Sequence, residues 1–148
     1  MNNSINSIDP LIEWAVWGHL DSKTDLELIL LKGHLLMEVV LNSTINRRQV
    51  ASVADMTFYR KILALEQTGG KRGSKHEMII ASLKELNQLR NKLAHEFHFD
   101  FADGSLHNWS ENIHMHCHGE KFTRYTFRTR IVHSFSILAR EILEEYGS

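Results

Sequence analysis

The sequence predicts an all-α fold, an antiparallel bundle of four to five helices forming one domain over residues 1–148. Three observations carry that expectation. Residues Ile79, Leu83, Leu86, Arg90, Leu93 and Phe97 step by four, three, four, three and four, which is one face of a bundle helix. One proline and eight glycines in 148 residues leave long stretches without a breaker. A chain of this length buries roughly 68–70% of the surface it would expose when unfolded, so it needs neither a disulfide nor a metal to fold.

The elements follow in order. Asp9-Pro10 reads as N-cap and N1 of a short helix near Leu11–Leu20, with Trp14 and Trp17 packing inward. Thr24 and Glu27 match a capping box for a helix running to about Ile45, apolar on nearly all sides and therefore central. A third helix is expected over Asp55–Glu66. The basic loop TGGKRGSK, residues 68–75, follows; its spacing is wrong for a phosphate-binding Walker loop and no strand precedes it. The fourth helix spans about Lys75–Phe97. Residues 98–120 alternate in polarity between turn formers, which predicts a loop or short hairpin. The last helix covers about Phe122–Tyr146, with Phe127, Ile131, Phe135, Leu138 and Ile142 inward.

A formal net charge of −1 argues against a protein that binds polyanions over its whole surface, and leaves room for a local basic site. The lone Cys117 cannot form an internal disulfide, so a reducing, cytoplasmic setting is expected. MNNSINSIDP has neither the basic nor the apolar region of a signal peptide. Leu26–Leu41 is interrupted by Glu27, Lys32, His34 and Glu38, and reads as a core helix rather than a membrane span.

LRNKLAHEF, residues 89–97, is where chemistry concentrates. RNA can be cut without a metal when a base activates the ribose 2′-hydroxyl and a cation stabilises the charged phosphorane. Histidine suits the proton transfer because its ordinary pKa lies near neutrality. Arginine suits the phosphate because its planar fork stays charged and holds two oxygens. Asn91 stands one turn before His95 and can orient it or hold a phosphate oxygen. Arg90 and His95 are five positions apart, about 7.5 Å of rise and about 140° of rotation. One helix does not aim both at the same point, so a site using both is easier to build where two such helices meet.

The bare spacing weighs little. Nine arginines and ten histidines give about 0.6 Arg-x4-His pairs by chance, and Arg128 with His133 is a second instance that lacks the asparagine. Context raises the first: Arg90 occupies a core position in an apolar row, where a charge needs a partner. The plain alternative is that Arg90 pairs with Glu38, Glu85 or another acid inside the bundle.

LxxLRNKLAHEF resembles the signature of the HEPN superfamily, the higher eukaryotes and prokaryotes nucleotide-binding domains, whose hallmark is Arg-x4–6-His near the end of a bundle helix. Asn91 matches the polar residue after the arginine, Ala94-His95 is a frequent pair, and LLKGHLLMEVVLN, residues 30–42, looks like the partner helix. The resemblance covers roughly residues 24–97 and the final helix. It implies a homodimer in which two motifs meet as a metal-independent endoribonuclease site, commonly in toxin–antitoxin or phage-defence systems. RNA is then the substrate, an antitoxin protein a candidate partner, and no cofactor is required. Arg90 would stabilise the transition-state phosphate, His95 would move protons and Asn91 would support them. Nucleotidyltransferase-paired toxins carry Tyr two residues after the histidine, where this chain has Phe97. Mannitol-repressor-like members have such bundles without shown cleavage, so a non-catalytic module acting in regulation or protein contacts is the alternative.

Further residues could assist. Lys71 and Arg72, and Arg124 and Arg128, are placed to hold RNA phosphates, although such clusters are usually solvated faces. Phe99, Phe101 and Trp109 could stack bases or simply pack. His114, His116 and His118 would share one face of a strand, where two could chelate, but zinc-finger spacing is absent and no metal is expected.

Overall fold

The computed structural model describes residues 12–13, 15–16, 26–48, 56–69, 75–95, 103–117 and 126–147. They form five long helices: α1 (Leu26–Arg48), α2 (Phe58–Gln67), α3 (Lys75–His95), α4 (Ser105–His116) and α5 (Phe127–Tyr146). Ile12, Glu13, Ala15 and Val16 are helical too. No strand occurs among the described residues. Trp14, Trp17, Thr24 and Phe97, named above, lie outside them.

Helices α1, α3 and α5 pack against one another as a central trio. Helix α2 lies on the edge between α1 and α3, and α4 on the edge between α3 and α5. The shared core contains Ile29, Leu30, Met37 and Leu41 from α1, Ile62 and Leu65 from α2, Ile79, Leu83 and Leu86 from α3, and Ile131, Phe135, Leu138 and Ile142 from α5. Helix α1 meets α5 closely at Gly33, where a Cβ would overlap the Phe135 ring; only a glycine lets the aromatic ring lie on the backbone there.

Three expectations are corrected. Residues 105–116 are a helix, not a loop or hairpin: Leu106, Trp109, Ile113 and Cys117 follow a three–four–four step and are all buried. The alternating histidines imitate a strand period, but the apolar period is the one that buries area. The Trp109 indole N–H donates to the Ser82 carbonyl at 2.9 Å and fixes α4 on α3. Trp109 is therefore a core residue and takes no part in stacking bases. Second, α2 begins at Phe58 with Thr57 as its cap, the hydroxyl accepting from the Arg60 amide at 3.2 Å. Third, α5 begins at Phe127, capped by a reciprocal Thr126–Thr129 box, and Phe127 at that first turn is exposed rather than inward.

The end of α3 is tied to the start of α4. Lys92 donates to Asp103, whose carboxylate also accepts from the Ser105 amide and hydroxyl at 2.8 and 2.7 Å. These bonds hold the Asp103 carboxyl well below the usual range, the Lys92 bond first among them. Gly104, with φ of +82°, makes the turn between them, a conformation other residues adopt at a cost. At the other end, Glu141 on α5 is buried and accepts from Lys75 and Arg140, each at 2.9 Å. Arg140 also reaches Glu13 at 3.2 Å.

Leu26–Ile45 is long and apolar enough to cross a membrane by composition. Here it packs on α2, α3 and α5 and carries a carboxylate bonded across the bundle. It is not apolar-buried all round, however. Leu28, Leu31, Leu35 and Val39 form one exposed row, with Leu35 52% and Val39 63% accessible.

Candidate functional site

The motif occupies the last turns of α3. Ile79, Leu83 and Leu86 are fully buried, and the core seam then moves to Leu89, leaving Arg90 and Leu93 half-buried. Asn87 is half-buried, and Asn91 and His95 are exposed beyond it. Arg90 thus points to the α1/α2 side while His95 stands in solvent, as five helical positions require. The partial negative charge of a helix C-terminus favours cations here.

The expected acid for Arg90 is occupied. Glu38 on α1 accepts from Lys61 of α2 at 2.8 Å, and the lysine is almost wholly buried. Arg90 makes no hydrogen bond or ion pair among the described residues, so pairing with Glu38 or Glu85 is not what holds it.

Arg90 lies within electrostatic reach of His34 on α1. This imidazole is 6% exposed, its ring centre stands 4.0 Å from that of Phe58, and its Nε2 is buried without a hydrogen-bond partner. Burial, the Arg90 guanidinium next, lowers its pKa to about 4, against a weaker opposing pull from Glu38. His34 is therefore neutral at pH 7. From the sequence alone His34 reads only as an interruption of an apolar run. A signal was present: Leu30, His34, Met37 and Leu41 step by four, three and four, so His34 takes an inward position in its row just as Arg90 does in its own.

The remaining expected residues are spread out. Arg128 is half-buried in the first turn of α5; Lys71, Arg72 and Arg124 lie outside the described residues, as do Phe99, Phe101 and His118. His114 and His116 sit on α4 and spend ring nitrogens on backbone, the first on the Arg130 carbonyl at 3.2 Å and the second on the Asn112 carbonyl at 2.8 Å. Burial pushes the Cys117 thiol up to about 12, which withholds the thiolate a metal would bind. Among the described residues no group of three or more His, Cys, Asp or Glu is arranged to hold a metal ion. His133, the histidine of the second Arg-x4-His pair, is buried beside Glu13 at 3.5 Å and belongs to the packing of α5.

No family model, no curated protein and no solved structure matches this chain.

Proposed function

We propose that the protein is a metal-independent endoribonuclease of HEPN type that works as a homodimer on RNA. The observation that supports this reading is Arg90, a half-buried guanidinium at the end of α3 with no acid paired to it among the described residues. A charge kept near a core calls for a counter-charge, and a phosphodiester provides one in the geometry an arginine fork prefers. In the reaction the 2′-oxygen attacks phosphorus, a base takes its proton, the bond to the 5′-oxygen breaks, and that oxygen receives a proton from an acid. The products are a 2′,3′-cyclic phosphate and a 5′-hydroxyl. His95 is the proton carrier and Asn91 its support. A toxin or defence setting follows from the resemblance of LRNKLAHEF alone.

The roughly 140° between Arg90 and His95 suits a site in which one copy supplies the arginine and the other the histidine. The exposed row on α1 suits association of this kind. Paired antiparallel with its own copy about a centre near Gly33, it sets Leu28 against Val39 and Leu31 against Leu35. The same row supports the second reading, a non-catalytic module that acts through protein contacts. RNA cleavage in EDTA by the wild type, compared with folded Arg90→Ala and His95→Ala, separates them. Cleavage lost in both variants supports the nuclease. An inert wild type whose oligomer dissociates in Leu35→Lys supports the module.

A further inference from the structure

His34 and Arg90 come from facing helices, lie within electrostatic reach of each other, and are both unsatisfied. The arginine has no partner among the described residues, and the histidine Nε2 is buried with none. Among the described residues the acid that acts on His34, Glu38 one turn along α1, is held by Lys61 from α2. Phe58 covers the imidazole from α2, and α5 meets this part of α1 through the apolar contact of Phe135 with Gly33. Among the described residues one donor and one acceptor on packed helices are thus left over.

We propose that His34 is a positioning residue for Arg90: its Nε2 accepts a hydrogen bond from the guanidinium and aims the arginine at a phosphate while leaving its positive charge intact. A carboxylate in the same place would orient the arginine equally well, but would cancel the charge that draws the phosphate. A neutral imidazole separates orientation from neutralisation. The bond requires the tautomer with its proton on Nδ1. The depressed basicity of His34 keeps the acceptor lone pair available through the neutral range. The inference rests on the ribonuclease reading only for the identity of the phosphate as ligand.

Two measurements on the full chain test it. Long-range 1H–15N correlation spectra of the imidazoles report the tautomer directly. The Nδ1–H form of His34, with an Nε2 resonance that moves on Arg90→Met, is expected. An Nε2–H form insensitive to Arg90 overturns the proposal. The second measurement is cleavage of an end-labelled single-stranded RNA of mixed sequence. His34→Gln, which restores a neutral acceptor, is expected to stay within about threefold of wild type. His34→Leu and His34→Glu are expected to lose tenfold or more, on the order of a single lost orienting bond. A core packing role predicts the reverse ranking, with His34→Leu best tolerated, and that result overturns the proposal. If the wild type cuts no RNA while the spectra show the coupled pair, the His34–Arg90 arrangement stands and the ribonuclease reading falls. If the wild type cuts RNA and His34→Leu cuts as well, the ribonuclease stands and the positioning role falls.

Discussion

Lys61 Nζ donates to Glu38 Oε1 at 2.8 Å, and this bond occupies the α1 carboxylate that, like Arg90, acts on His34. Lys61 is nearly buried while Glu38 is a third exposed, so the pair is a junction between α1 and α2 as well as a guard on the arginine. Lys61→Met is expected to lower stability by about 1–2 kcal/mol, below the value for a fully buried pair because water reaches the glutamate. It is also expected to reduce RNA cleavage, since the released Glu38 can then pair with Arg90. Adding Glu38→Gln should restore cleavage, measured side by side with urea denaturation of all three variants.

Acid is expected to loosen the α1/α3 edge. The pKa of His34 falls from 6.5 in the unfolded chain to about 4 in the folded one. Between those values the unfolded state holds more protons, so stability is full above pH 6.5 and declines as the pH drops toward 4. At about 1.4 kcal/mol per unit the loss reaches roughly 3 kcal/mol. Denaturation of wild type and His34→Gln at pH 7.5, 6, 5 and 4.5 checks it. The wild-type slope should exceed the variant's, with burial of His114, also lowered, contributing the slope they share.

Trp109 ties α4 to α3 through a buried bond to the Ser82 carbonyl. Trp109→Phe keeps most of the packing and loses the indole bond, while the carbonyl keeps its bond within α3, a cost of about 0.5–1.5 kcal/mol. Trp109→Ala also opens a cavity and should cost about 3–5 kcal/mol. Chemical denaturation reads both, and a Trp109→Phe value near zero would mean that the indole bond contributes little.

Gly33 and Phe135 fit each other at the α1/α5 crossing. Gly33→Ala forces the ring aside and is expected to cost about 1–3 kcal/mol despite the better helix propensity of alanine. Pairing it with Phe135→Leu should recover part of that loss in a double-mutant cycle.

How much the sequence revealed depended on whether one period dominated each segment. The α3 row from Ile79 to Leu86 was readable because its apolar steps are clean, and the same regularity exposed Arg90 as the residue out of place. Helix α4 was hidden because His114, His116 and His118 superimpose a two-residue alternation on the period of Leu106, Trp109 and Ile113. Helix α1 has apolar residues on every side, so its pattern could not tell the core face from the exposed row of Leu28, Leu31, Leu35 and Val39. His34 escaped for the same reason: among so many apolar neighbours a single histidine reads as an interruption. Its relation to Arg90 spans 56 positions and exists only once α1 and α3 are packed.

Cleavage of a mixed single-stranded RNA in EDTA, by wild type, Arg90→Ala and His95→Ala with folding verified by circular dichroism, tests the central claim most directly. The account predicts wild-type products ending in 2′,3′-cyclic phosphate and a loss of about 100-fold or more in each variant, as expected for removing a charge stabiliser or a proton carrier. Wild-type cleavage that EDTA abolishes, or that both variants retain, would contradict it.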